Sequence, residues 1–368
     1  MDALTIAMLA VGLLFLILGA ELLVRGASLL AAAAGISPLV VGLTVVAYGT
    51  SAPELAVSIQ AGLAGNTDIA VANVVGSNIF NVLFILGACA AIQPLVVHRQ
   101  LVRLEVPIMI AASLLLTVLS WDGTLRPWEG GVLFSGIAAY TVWAIRRSRR
   151  EEAAAASAAD RPAPGPLKKP AVSILAQVGW VLAGLAFLVL GARWLVEGAV
   201  SLARTMGVSD VVIGLTIVAA GTSLPEVFTS LVATIRGARD IATGNVIGSN
   251  IFNALMIGGI ASLVTPGGLT VAPSLINFDM EVMLAVAVAC LPIFFTGCSI
   301  ARWEGWLFLG CYAAYAAYLV MDATGHDALP AFSNTMLLFV LPLTALTVAV
   351  VTLRALRRQG GAGCSLED

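Results

Sequence analysis

Charge is scarce in this chain. Asp, Glu, Lys and Arg together supply 11% of its 368 residues, less than half the usual share, so an ordinary soluble globule is excluded. Histidine is scarcer still: His98 and His326 stand apart, which leaves no imidazole cluster for zinc. The cysteines, Cys89, Cys290, Cys298, Cys311 and Cys364, show no CxxC and no ligand-type spacing, and they read as small packing residues. No basic tract is interleaved with aromatics, so nucleic acid is not an expected partner. Strand-period alternation is missing too, which argues against a membrane barrel.

Apolar residues are what the chain has instead. They fill 60% of it, and its mean hydropathy is +0.99. A bilayer core about 30 Å thick needs roughly 20 apolar residues per helical crossing, and such stretches follow one another from end to end. The predicted fold class is an all-α polytopic membrane protein. Hydropathy and punctuation predict eleven spans, near residues 3–32, 38–65, 69–92, 104–120, 128–146, 172–203, 210–236, 241–264, 279–297, 303–321 and 331–354. The first run follows Asp2, with no Lys or Arg before it; it lacks the charged start of a cleaved signal and reads as a retained span. Between the fifth and sixth spans, "RRSRREEAAAASAADRPAPGPLKKP" is rich in charge, Ala and Pro and reads as a mobile linker.

The chain is also internally repeated. A shift of 172 residues carries Thr50 onto Thr222, and the register holds without a gap from Gly19 and Gly191 to Gly87 and Gly259. Thirty of the 53 positions from 35 to 87 are identical to their partners, so the chain is two copies of one unit. The predicted layout is a first five-helix repeat over 1–146, a cytoplasmic linker over 147–170, a second repeat over 171–321, and an eleventh helix with a tail over 322–368. An odd number of spans per copy sends the second copy into the bilayer upside down. The loops agree, since "AGLAGNTD" carries no basic residue while its equivalent "ATIRGARD" carries Arg236 and Arg239. With the N-terminus outside, most Lys and Arg of the short loops, Arg126 and Arg204 excepted, fall inside with a cytoplasmic C-terminus. Inverted-topology repeats mark secondary transporters, whose site lies at the repeat interface near the midplane.

Two phrases carry chemistry in each copy. "GTSAPE" at 49–54 recurs as "GTSLPE" at 221–226, in equally apolar surroundings. Pro53 and Pro225 have no amide hydrogen, so the helix there must kink or break and release carbonyls; in lipid such groups are tolerated only where they line a cavity or meet a ligand. "NVVGSNIFN" at 73–81 recurs as "NVIGSNIFN" at 245–253, with Asn73, Ser77 and Asn81, and Asn245, Ser249 and Asn253, at intervals of four along one face. Folded about a pseudo-twofold axis, these segments offer two carboxylates, hydroxyls, amide oxygens and freed carbonyls. Such hard, all-oxygen ligation suits Ca²⁺ and Na⁺. The two carboxylates carry a charge that one Ca²⁺ neutralises, whereas burying either one alone costs several kcal/mol. Protons could also compete for it.

The doubled GTSxPE and GSNIFN, with five plus five spans over roughly residues 1–321, resemble the cation/calcium exchanger superfamily, and within it the prokaryotic sodium/calcium exchangers. The resemblance implies the exchanger fold and an antiporter that trades Ca²⁺ for Na⁺ by alternating access. It implies that Glu54 and Glu226 are the main calcium ligands, with backbone carbonyls of Thr50 and Thr222. Sodium sites would draw on Ala47, Thr50, Ser51 and Ser77 and on Ala219, Thr222, Ser223 and Ser249, with Asn81 and Asn253 completing the centre. The long first and sixth spans would slide across the remaining core. Some members carry an aspartate where this chain has Asn253, which leaves the site one potential charge poorer and argues against potassium co-transport. The linker has no room for the large regulatory loop of animal members, and the eleventh helix departs from the ten-helix plan.

Plainer readings compete at several positions. Asn81 and Asn253 could be interhelical glue, and Asn73, Asn78, Asn245 and Asn250 read as structural. Asp68 and Asp240 read as helix N-caps, and Glu21 with Arg25, like Arg193 with Glu197, as four-apart pairs. Glu54 and Glu226 have no such structural role. Three functions compete with sodium/calcium exchange: a calcium/proton antiporter, a cation channel and an intramembrane hydrolase. The inverted repeat disfavours the channel, and the repeated neutral oxygens would be idle in a hydrolase. The expectation is a non-enzymatic, multi-pass protein of a bacterial inner membrane, monomeric in its lipid bilayer, with no cofactor besides the ions it carries.

Overall fold

The computed structural model describes residues 3–158, 173–208, 210–295 and 298–350, apart from 346 and 348. The first repeat comprises α1 (Ala3–Ala34), α2 (Pro38–Thr50), α3 (Ala52–Leu63), α4 (Thr67–Ile92), α5 (Leu101–Leu119) and α6 (Pro127–Ala158). The second comprises α7 (Ile174–Thr205), α8 (210–221), α9 (Leu224–Ile235), α10 (Arg239–Val264), α11 (Leu275–Phe295) and α12 (Arg302–Ala323). A last helix, α13, begins with Leu329–Thr335. Among the described residues, seven helices are long and apolar enough to cross a bilayer, or eight if the bent α2–α3 pair is one span. Helices occupy the predicted stretches, but among the described residues seven or eight of them, rather than the eleven expected, are long and apolar enough to be spans, and the end of the predicted eleventh, 351–354, lies outside the described residues. A further difference is α6, which runs to Ala158 because "EEAAAASA" favours helix and nothing breaks it before the Pro-rich stretch. Residues 159–172 of the linker and the tail from 351 lie outside the described residues.

Burial separates centre from edge. In the most apolar windows of α4 and α10, 72% and 83% of residues are buried, against 28% for α1 and α7. The GSNIFN helices are therefore the middle of the bundle, and the long helices flank it. α1 and α7 pack tightly on each other because glycines face glycines: a Cβ at Gly19 would lie 2.7 Å from Leu188 N, and one at Gly184 would lie 2.6 Å from Leu23 N. Only a residue without a side chain allows that approach.

The two copies are joined reciprocally. Strand β1 (Leu95–Val96) pairs antiparallel with β4 (Ser299–Ile300), and β2 (Thr124–Leu125) pairs antiparallel with β3 (Leu269–Thr270). Each two-residue ladder links the loop after α4 or α10 of one copy to the loop before the last helix of the other. Mutual contacts of this kind are what a twofold relation produces. The sequence offered no alternation to announce strands this short.

Six acids are buried among the described residues, and they form three repeat-related pairs. Glu129 accepts the backbone N–H of Arg126 at 2.6 Å, and Glu304 that of Ala301 at 2.7 Å, each capping its helix start. Glu105 accepts Tyr140 Oη at 2.7 Å and Gln100 Nε2 at 2.8 Å, and Asp279 accepts Tyr315 Oη at 2.7 Å. The third pair is Glu54 and Glu226.

Several local expectations are corrected. Asp68 and Asp240 sit inside the first turns of α4 and α10, whose caps are Asn66 and Ala238; there they favour the positive helix end without capping it. Glu21 pairs with Arg236 at 2.9 Å, and Arg25 instead lies over the Trp180 ring at 4.7 Å. Arg193 and Glu197 do pair, at 2.8 Å. Cys89 and Cys290 are free and buried, as packing residues would be, whereas Cys298 is in a disulfide.

Candidate functional site

The site begins with a broken helix. α2 ends at Thr50 and α3 starts at Ala52, with a 44° bend between them. Ser51 at the break has φ −84° and ψ 9°, outside the helical basin, and Ser223 repeats this with φ −88° and ψ 6°. Pro53 and Pro225 fall in the first turn of α3 and α9, where a missing N–H disrupts least, so the proline starts the second segment cleanly. The cost falls upstream, where the carbonyl four residues earlier loses its donor.

Around each break the backbone is wound into π-helix. Such stretches occur at Gly42–Val46 and Gly214–Val218 before the breaks, and at Asn81–Leu86 and Asn253–Ile257 in the central helices. A π turn widens the helix by one residue and leaves a backbone group without its regular partner; it also occurs at Leu101–Glu105, Leu275–Asp279 and Met336–Val340, so it does not by itself mark the site. Asn81 and Asn253 both open such a turn. Hydropathy carries no signal for it.

The breaks place two acids against opposite repeats. Ser51 Oγ donates to Glu226 Oε1 at 2.7 Å, and Ser223 Oγ donates to Glu54 Oε1 at 2.9 Å. Ser223 Oγ also reaches Ser77 Oγ at 3.4 Å. All five side chains are buried, with Glu54 and Glu226 each 1% exposed. The carboxylates, three residues beyond the crossed serines, thus converge at one centre. Asn78 and Asn250 cross the same axis, each donating its Nδ2 to the other's backbone carbonyl, at 3.3 and 3.2 Å. Asn81 Nδ2 donates to Asn250 Oδ1 at 2.9 Å.

What remains unpartnered points to cations. Glu54 Oε2, Glu226 Oε2, Asn81 Oδ1, Asn253 Oδ1, Thr222 Oγ1 and Ser249 Oγ are sealed from solvent without a hydrogen-bond partner. Buried polar atoms of this kind are rare, because each carries an uncompensated desolvation cost. These six are oxygens, as a hard cation requires, whereas other buried atoms without a partner among the described residues include Asn78 Oδ1, Ser120 Oγ, Thr229 Oγ1 and Arg239 Nε. Among the described residues, Glu54 and Glu226 are the buried acids that keep a sealed carboxylate oxygen without a hydrogen bond.

The remaining predicted residues are placed as follows. Thr50 Oγ1 reaches Asn245 Oδ1 at 3.2 Å and Ala47 O at 3.4 Å, and Ala47 O also accepts Ser51 N at 3.0 Å. Ala219 opens the equivalent short turn before Thr222, and its side chain lies outside the described residues. Two further residues per copy support the site: Asn73 Nδ2 donates to Glu54 O at 3.1 Å and Ser58 Oγ at 3.0 Å, and Asn245 Nδ2 to Glu226 O at 3.5 Å and Ser230 Oγ at 2.9 Å. Ser58 and Ser230 were legible as an identical position in the repeat, but nothing in the pattern distinguished them from packing serines.

The sodium/calcium exchanger protein family matches residues 4–146 and 176–321. The chain belongs to the sodium/calcium exchanger family. This exchanger is 39% identical over 252 residues to the putative antiporter CaxA of Alkalimonas amylolytica, spanning 67% of this chain and 76% of that one. It is 32% identical over 306 residues to the sodium/calcium exchanger MaX1 of Methanosarcina acetivorans, spanning 75% and 87%. The sodium-calcium exchanger NCX_Mj superposes with a TM-score of 0.73 at 30% identity, covering 87% of this chain and all of the other. The fold is thus the mostly helical fold of the sodium-calcium exchanger NCX_Mj, and this exchanger is a multi-pass cation/calcium antiporter of the membrane, a transporter rather than an enzyme.

Proposed function

We propose that this exchanger moves Ca²⁺ in one direction against Na⁺ in the other, holding its cargo between Glu54 and Glu226. The observation that carries the reading is the contrast among buried acids: two pairs are hydrogen-bonded into the scaffold, while Glu54 and Glu226 each keep a sealed oxygen beside orphaned neutral oxygens. Two ionised carboxylates in a low-dielectric centre cannot turn toward the other side of the membrane uncompensated, since several kcal/mol would oppose it. One Ca²⁺ cancels their charge, and Na⁺ ions on the flanking hydroxyls of Thr50, Ser51, Ser77, Thr222, Ser223 and Ser249 replace it. Backbone carbonyls at Ala47, Ala219, Thr50 and Thr222 complete the shells, and Asn81 and Asn253 serve the centre.

Alternation follows from the two layers. The α1–α7 pair is tight within itself and largely lipid-facing, so it can shift as a body while the ladder-clamped core stays whole. The orientation is set by loop charge, with the N-terminus outside and the basic loops cytoplasmic. Calcium uptake into proteoliposomes under an outward sodium gradient tests the reading. Uptake driven by a proton gradient, and not by sodium, would make the protein a calcium/proton antiporter; non-saturating flux without a counter-ion would make it a channel.

A further inference from the structure

We propose that Asn245 is a positioning residue that ties the two cation-binding breaks together, a role its repeat partner Asn73 does not share. The inference rests on the cation reading of the site given above. Asn245 is fully buried on α10, one turn before Ser249. Its Nδ2 donates to Ser230 Oγ at 2.9 Å and faces the backbone carbonyl of Glu226 at 3.5 Å, while its Oδ1 accepts Thr50 Oγ1 at 3.2 Å, nearer than the Ala47 carbonyl at 3.4 Å that competes for the same proton. One planar amide thus reaches the acid-bearing turn of the second repeat and the hydroxyl at the break of the first. Its donors and acceptor are fixed relative to each other, so a shift at one end is felt at the other.

The link is one-sided. Asn73 makes the same contacts within its own repeat, to Glu54 O at 3.1 Å and Ser58 Oγ at 3.0 Å. Across the axis, however, Thr222 Oγ1 has no partner. The sequence is identical at these positions in both copies, so residue type does not explain the difference. It has a chemical consequence. A hydroxyl that donates its proton to an amide oxygen turns its lone pairs elsewhere, and only lone pairs bind a cation. Asn245 therefore presets Thr50 as a ligand, while Thr222 must orient when its ion arrives. Occupancy at the first break is transmitted to Glu226 through the same amide, which makes sodium binding at the two halves cooperative.

The test is a double-mutant cycle in proteoliposomes, reading the sodium concentration for half-maximal calcium exchange, the Hill coefficient for sodium and the maximal rate. Asn245→Ala is expected to raise the half-maximal sodium concentration about tenfold, the loss of one buried hydrogen-bonded link, with a lower Hill coefficient and a maximal rate within about twofold. Asn73→Ala is expected to leave the Hill coefficient unchanged. In a Thr50→Val background the Asn245→Ala effect should vanish, and in Thr50→Ser, which keeps the hydroxyl, it should persist. An effect of equal size in the Thr50→Val background, or an Asn73→Ala change that matches it in both readouts, overturns the proposal. If Asn245→Ala does not yield a monodisperse protein, Asn245→Ser, too short to reach Thr50, takes its place with the same expectation. Should the parent exchange no calcium for sodium, the functional reading fails first; the cycle is then run on calcium-for-calcium counterflow, where coupling between Asn245 and Thr50 in the half-maximal calcium concentration upholds the link and its absence refutes it.

Discussion

Replacing Glu54 with glutamine removes one charge from the centre while preserving its shape. Glu54→Gln keeps a carbonyl oxygen for the Ser223 hydroxyl, now 2.9 Å from Oε1, so the crossed serine contact survives. What is lost is half the negative charge facing a divalent ion. Removing one partner of a buried charge pair costs about 3–5 kcal/mol, which corresponds to a calcium affinity weakened roughly 200- to 5,000-fold. Glu226→Gln, whose Oε1 takes the Ser51 hydroxyl at 2.7 Å, should lose as much. The assay is the calcium concentration for half-maximal exchange in proteoliposomes, a quantity independent of protein yield. Glu105→Gln is the control: that acid is equally buried, but Tyr140 and Gln100 already satisfy its oxygens, so its half-maximal calcium concentration should stay within about threefold of the parent. Calcium affinity within tenfold of the parent in Glu54→Gln, or a loss in Glu105→Gln as large as in Glu54→Gln, would refute the reasoning that an unpartnered oxygen distinguishes cargo ligands from scaffold.

Three further outcomes are expected from the packing. Gly184→Ala should destabilise the detergent-purified protein by about 1–3 kcal/mol in thermal denaturation, because its Cβ would meet Leu23 N at 2.6 Å, whereas Gly179→Ala, with nothing within 4 Å, should be neutral or stabilising. Tyr140→Phe should cost about 1–3 kcal/mol by stripping a donor from fully buried Glu105, and Tyr315→Phe less, because Asp279 retains 9% exposure to solvent; unfolding midpoints compare them. Arg236→Ala should change stability by no more than about 1 kcal/mol in the same measurement, since its pair with Glu21 has side chains 63% and 38% exposed.

Much of this arrangement was legible in the residues because it is written twice. The recurrence of Glu54 as Glu226, and of Ser77 and Asn81 as Ser249 and Asn253, identified the repeat and the face on which polar groups gather, while hydropathy located the helices. Pro53 announced the break, since the loss of one N–H has a fixed structural consequence. Other features depend on distances that a linear pattern does not carry. Glu21 has Arg25 one helical turn away yet pairs with Arg236, because tertiary packing brings the second arginine closer to its carboxylate. The π turns at Asn81 and Asn253 arise from a backbone choice between two similar hydrogen-bond ladders, and no side-chain period records it. The partnership of Glu105 with Tyr140 joins residues on separate helices, so neither one revealed that the acid was spoken for.

The two small ladders have a consequence for how the protein is made. Residues 95–96 and 124–125 are synthesised well before 269–270 and 299–300, their only strand partners among the described residues. The leading half must therefore wait in the bilayer with both of its edges open until the trailing half is inserted in the opposite sense. Assembly is thus gated by the arrival of the second copy, and the two halves, expressed as separate chains, carry the complementary edges needed to find each other.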